Sequence, residues 1–286
     1  MLPHICYRHP LSQNEQIHPM KRIALTIISL YTLFLTTYAD KIDSYNVIWD
    51  SPSANSLESM PCGGGDAGMN VWVENGELMV YLSRSGTFDE LNSFPKLGRI
   101  RISLTPKPFE DYDSFRQELK LKDGYVEIAG TKNGLKENVD IWADIFLPVA
   151  HIDIRSNKGI MATATYETWR FEDRALTMPE TEVCRTYKDA PVEAIVKSDT
   201  VRFKVRSVLF YHHNSGISAF DIAVEQQKLG AVKSRLWNPI DSLTFGGRLF
   251  AKNMKPAGTT EGMYAATKYR GWMLSSKRPA CNTTHG

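Results

Sequence analysis

The chain has 286 residues, with 34 basic and 32 acidic side chains, a formal net charge of +2 and 42% hydrophobic residues. It carries no long block of like charge. It therefore lacks the electrostatic footprint of a protein that neutralises nucleic-acid phosphates or adheres to an anionic membrane.

Export is the first expectation along the chain. Residues 1–19 are polar and patternless and are expected to be the product of an upstream start. Met20-Lys21-Arg22 then supplies a basic start, Ile23 to Leu35 an uncharged apolar run, and Thr37-Tyr38-Ala39 small residues at the positions a signal peptidase reads. The apolar run is shorter than the roughly 20 residues that span a bilayer, so residues 20–39 are expected to be a cleaved signal peptide and not an anchor. No cysteine follows that run to take a lipid. Residues 40–286 would then be an exported domain, periplasmic or extracellular, with no membrane span. Its 31 basic and 31 acidic residues balance, because the lost segment holds Arg8, Lys21 and Arg22 against Glu15.

Strand signals dominate this part of the chain. Met69 to Glu74 and Glu77 to Leu82 flank Asn75-Gly76, the strongest short-range hairpin signal, because a type I′ turn needs positive φ at both central residues. The two-residue loop fixes the register: Val73 opposite Leu78, Val71 opposite Val80 and Met69 opposite Leu82 on one apolar face. Trp72 with Met79, and Asn70 with Tyr81, share the other face. Glu74 and Glu77 should oppose each other at the hairpin end, as solvated charges. Residues 84–98 look loop-rich. Ile100, Ile102 and Leu104 alternate with Arg99, Arg101 and Ser103, a half-buried strand with a basic outer face. Asp123-Gly124 joins a second hairpin between Phe115–Leu121 and Tyr125–Ala129, and Val139 to Leu147 resembles a central strand. Val201 to Val205, the alternating Phe220, Ile222 and Val224, and Arg270 to Ser275 complete the expected strands. Residues 230–262 form a second loop-rich stretch. Many short strands and few helices predict an all-β, antiparallel sandwich.

Few motifs carry chemistry. Gly63, Gly65 and Gly68 match G-x-G-x-x-G, but a hairpin follows them where a dinucleotide site needs a helix N-terminus. No cofactor is expected, and the glycines are read as a tight loop permitting close backbone approach, with Asp66 orienting it through nearby amides. Glycosidase chemistry needs two carboxylates across a cleft, and among Asp66, Glu74, Asp89 and Glu90 no pair stands out. Cys184, His212 and His213 lack metal-ligand spacing, and adjacent strand histidines point to opposite faces. Cys62, Cys184 and Cys281 permit one disulfide, with buried thiols the favoured reading. Six tryptophans are spread along the domain, and Trp72, turned off the apolar face, is the best placed to stack on a sugar ring.

Trp49-Asp50-Ser51-Pro52-Ser53, then Glu58 to Gly68 and the hairpin to Leu82, resemble the opening of the family called domain of unknown function 5703. That family is similar to the N-terminal β super-sandwich of glycoside hydrolase family 95 and its relatives, chiefly from Bacteroidota. Their loop has Gly-Asn where this chain has Gly65-Asp66. Leu243-Thr244-Phe245-Gly246-Gly247 and Gly271-Trp272-Met273-Leu274 resemble the close of the same domain, so the likeness spans roughly residues 46–278. In those relatives the catalytic residues lie in an (α/α)6 barrel that follows the sandwich, and this sequence ends at Gly286 without one. The resemblance thus implies a non-catalytic module, a fragment of a secreted carbohydrate-active enzyme that scaffolds or lines a sugar site, with carbohydrate and such a barrel as partners. A free-standing carbohydrate-binding or surface-interaction module is the alternative, and an autonomous hydrolase ranks last. Gly63, Gly64, Gly65, Asp66, Asn70 and Trp72 are the candidate contact residues, with Trp72 expected in an exposed patch facing the barrel.

Overall fold

The computed structural model describes residues 41–182, 186–188, 190, 193–276 and 279. The chain divides into two units, Met1–Tyr45 and Asn46–Gly286. The expected signal peptide lies outside the described residues, as do Cys184 and Cys281.

In chain order the second unit runs β1 (Val47–Trp49), β2 (Met60–Gly64), β3 (Ala67–Glu74), β4 (Glu77–Arg84), β5 (Gly98–Thr105), β6 (Ser114–Lys120), β7 (Tyr125–Lys132) and β8 (Leu135–Ala143). There follow β9 (Ala150–Ser156), β10 (Met161–Thr168), β11 (Arg174–Ala175), α1 (Met178–Glu182), β12 (Ile195–Val196), β13 (Thr200–Lys204) and β14 (Ser207–His213). The last elements are α2 (Ala219–Gln226), β15 (Thr244–Phe250), β16 (Met254–Tyr264) and β17 (Thr267–Ser276). Two antiparallel sheets make the sandwich: five strands in the order β1-β6-β7-β8-β9, and seven in the order β16-β17-β10-β5-β4-β3-β2. A three-stranded sheet, β13-β14-β15, and a β11-β12 pair complete the unit. The all-β sandwich read from the sequence is the fold. Among the described residues no helix is long and apolar enough to cross a membrane.

Local chemistry explains the register. Asn75 and Gly76 take φ of 53° and 74°, and the β3–β4 ladder pairs Val73 with Leu78, Val71 with Val80 and Trp72 with Met79 as the turn requires. One face of this hairpin meets the five-stranded sheet. Val71, Val73, Leu78, Val80, Ile100, Ile102 and Tyr166 join Val126, Ile128, Val139 and Ile141 in one core. Each such side chain, taken fully from water, contributes about 1.5–3 kcal/mol. Gln117 crosses the interface to donate to the carbonyl of Val71 at 3.2 Å, so its buried amide is not left unmatched. The Asp123-Gly124 hairpin also forms, with Gly124 at φ 73° and Lys120 opposite Tyr125.

Several expectations need correction. Phe220, Ile222 and Val224 lie on helix α2, not a strand; Ser218 and Asp221 make a reciprocal capping box at its start, and Ala219 and Ile222 pack on Leu91, Tyr187 and Ile240. The stretch 230–262 holds β15 and most of β16, whose glycines disguised the alternation. Gly246 and Gly247 sit against Phe210 and Tyr211 so closely that a Cβ would approach within 2.2 and 2.7 Å of them. The strand from Val139 stops at Ala143, where Asp144 turns the chain by accepting the N–H groups of Phe146 and Leu147. Strands β9 and β10 had no sequence assignment. Arg99, read as part of a basic outer face, is buried.

Candidate binding groove

The face of the seven-stranded sheet turned from the core is a polar and aromatic platform. Cross-strand register sets Trp72, Met79 and Arg101 in one row, with Asn70, Tyr81, Arg99 and Glu167 in the next. The β16–β17 hairpin adds Tyr264 and Tyr269 to the same face. Alternation along each strand forces this set together once the other parity is committed to the core.

Ion pairs and rings lock the platform. Glu167 is buried and accepts Arg99 Nε at 2.6 Å and Arg101 Nε at 2.6 Å. Arg101 reaches on to Glu77, which also accepts the hydroxyl of Ser103. The Arg99 guanidinium lies 4.1 Å from the Tyr264 ring centre and 5.1 Å from that of Tyr269, close enough for cation–π attraction. Glu74 accepts the Trp72 indole N–H and the Tyr264 hydroxyl, each at 2.8 Å. Glu74 and Glu77 do face each other across the hairpin end, but as hydrogen-bonded anchors and not as solvated charges.

Two adjoining pockets open on this platform, of about 670 and 330 Å³, within the usual range for small-molecule sites. The larger is lined by Asn55, Ser56, Glu74, Asn75 and Arg101 among others, and the smaller by Tyr81, Lys96, Arg99, Trp169 and Arg174. Tyr264, Ala265 and Tyr269 border both, so the two form one groove with a tyrosine divider.

The predicted contact residues separate into two places. Gly63 and Gly64 end β2, Gly65 and Asp66 make the turn, and Ala67 opens β3. At Gly64 a Cβ would come within 2.9 Å of the carbonyl of Ala143, and Gly65 has φ +59° with the Ile145 carbonyl 3.0 Å from a Cβ position. The tight glycine loop with close backbone approach is therefore present, and it leans on the β8–β9 turn. Asp66 anchors it differently from expectation, pairing with Arg84 at 2.9 Å while its backbone carbonyl accepts the N–H of Ser85. Asn70 and Trp72 lie on the platform. Trp72 is fully buried, tilted against Tyr81 with ring centres 4.8 Å apart. The exposed patch expected there is thus replaced by a covered floor beneath Tyr81 and Tyr264. Lys96, Arg99, Glu167, Tyr264 and Tyr269 were not singled out as site residues. The signal available was the off-core parity of β4 and β5; joining it to β10 and β17 needs strand pairs such as Arg99 with Glu167 and Glu167 with Gly271, 68 and 104 positions apart.

Behind the groove lies a buried charged network. His212 contacts Glu90 at 2.8 Å through Nε2 and Asp199 at 3.1 Å through Nδ1. Arg170 pairs with Asp199 at 3.0 Å and donates to the backbone carbonyl of Lys96 at 2.9 Å. Burial works against the imidazolium, but hydrogen bonds to Asp199 and Glu90 and their charges outweigh it and push His212 up to about 9. The network thus holds a cation at neutral pH and fixes the backbone that carries Lys96. His213 points outward to Thr244, as neighbouring strand residues must. Cys62 is a free, half-buried thiol, and its sulfur lies 3.8 Å from the carbonyl of Ile141.

Fold and groove together define a large antiparallel β-sandwich domain with an open, aromatic, ion-paired cleft on one sheet face. The chain belongs to the family described as Domain of unknown function (DUF5703), whose model matches residues 48–285. A search of curated proteins finds no match to the chain.

Proposed function

We propose that the chain is a carbohydrate-handling sandwich module of an exported carbohydrate-active enzyme, and that the platform groove is where it lines or holds the sugar. The observation that carries this reading is the convergence of Tyr81, Trp169, Tyr264 and Tyr269 with ion-paired arginines and carboxylates on one face. Aromatic rings offer rigid apolar area to the C–H faces of a sugar, and fixed charged groups bond its hydroxyls. The resemblance to the super-sandwich of family 95 glycoside hydrolases supports the same class. Glu74 and Glu77 favour binding over hydrolysis, since each accepts two donors from its own neighbours and neither stands ready as a proton donor.

The test is affinity electrophoresis and calorimetry of the full chain against a panel of neutral and acidic polysaccharides. Retention by at least one glycan, weakened about tenfold or more by Tyr269→Ala, is the expected result. No retention by any glycan, with the chain folded, defeats the reading. Turnover of any of these glycans that disappears in Glu74→Gln would instead restore an autonomous hydrolase.

A further inference from the structure

Resting on the carbohydrate reading, we propose that the smaller pocket selects an acidic sugar, so that the ligand is an oligosaccharide carrying a uronic acid. The two halves of the groove differ in charge. The larger pocket is lined by a carboxylate, Glu74, as well as by Arg101 and the polar side chains of Asn55 and Asn75. The smaller is lined by three cations, Lys96, Arg99 and Arg174, and by no carboxylate. A pocket with that lining attracts an anion and sets no carboxylate of its own lining against it.

The three cations are not equivalent. Arg99 is neutralised by Glu167 at 2.5 Å, and Arg174 is bound by both oxygens of Glu180 at 2.6 and 2.7 Å. Lys96 is exposed, meets no carboxylate among the described residues and rests 4.9 Å from the centre of the Tyr81 ring. Its backbone is held from behind by Arg170, so the ammonium projects from a fixed base. Trp169 lines the same pocket, edge-on to Tyr81 with ring centres 6.1 Å apart. A flat aromatic wall beside an uncommitted cation is suited to a pyranose ring bearing a carboxylate: the ring meets the aromatic surface and the carboxylate meets Lys96. The tyrosine divider then passes the chain to the larger pocket, whose mixed donors and acceptors suit a neutral sugar.

The experiment is titration calorimetry of the full chain with oligomers of galacturonate, glucuronate and mannuronate. Each is paired with its uncharged methyl ester, and a neutral oligosaccharide set is run beside them. On at least one backbone the acid should bind about tenfold tighter than its ester. Lys96→Met should bring acid and ester to the same affinity, while Lys96→Arg keeps most of the preference. Esters binding as well as acids on every backbone would overturn the proposal, as would Lys96→Met weakening both forms alike. Binding confined to neutral glycans would defeat the acidic-sugar inference and leave the carbohydrate reading standing, whereas binding to none of the probes would defeat both.

Discussion

The indole N–H of Trp72 donates to the carboxylate of Glu74, two residues along the same face of β3, at 2.8 Å. Glu74 in turn accepts the hydroxyl of Tyr264 at 2.8 Å from a strand 190 positions away. One carboxylate thereby ties the floor of the groove to the hairpin that divides it. We predict that Trp72→Ala lowers unfolding free energy by about 3–5 kcal/mol, the range for emptying a core aromatic site, and loosens Tyr264. A denaturant melt giving a loss under about 1 kcal/mol would show that Trp72 is not part of the packed interior.

The His212 network makes stability depend on alkaline pH. The folded state holds a proton up to about 9, against an ordinary histidine value of 6.5. Because the folded value is raised, the stabilisation is complete below pH 6.5 and is lost as pH rises through 9, amounting to about 3 kcal/mol. Urea melts at pH 6, 7.5 and 9.5 should show this decline in the wild type and its absence in His212→Gln. A variant with the same alkaline slope as the wild type would mean that another group titrates.

A second titration lies lower. Glu137 is buried on the inner face of β8, and burial pushes its carboxyl up to about 7. The folded state then keeps a proton that the unfolded chain releases near 4.5, so stability falls as pH climbs from about 4.5 to 7. Glu137→Gln keeps the shape without the charge. It should stabilise the domain by about 2 kcal/mol at pH 8 and change little at pH 4.5. An equal effect at both pH values would contradict a titrating Glu137.

The glycine hairpin should respond to backbone geometry more than to charge. Gly65→Ala places a Cβ on a residue at φ +59° and 3.0 Å from the Ile145 carbonyl, which should cost about 1–2 kcal/mol. Asp66→Ala removes only a half-exposed pair with Arg84 and should cost under about 1 kcal/mol. Thermal melts of the two variants should rank in that order, and the reverse order would give Asp66 a larger role than holding Arg84.

Local rules made part of this protein legible in its sequence. Asn75-Gly76 dictated a turn with positive φ, that turn fixed the register of β3 and β4, and alternation then assigned Val71 and Val80 to one face and Trp72 and Tyr81 to the other. These outcomes depend on residues within a few positions of one another, so no partner strand was needed to foresee them. Helix α2 was open to the same kind of reading, since Ser218 and Asp221 cap it, but the alternation of Phe220, Ile222 and Val224 competes with that signal over so short a span.

What covers the second face was decided only by the tertiary structure. Strand pairing brings Glu167 beside Arg99 and Arg101, and the β16–β17 hairpin lays Tyr264 over Trp72. A charged or aromatic side chain that would otherwise face solvent is thereby desolvated and must find its partner there. Sequence spacing carries no information about which distant strand arrives. Arg99 and Trp72 therefore lay on the anticipated side of the sheet, yet their burial, and the groove built above them, came from contacts made only when the sandwich closes.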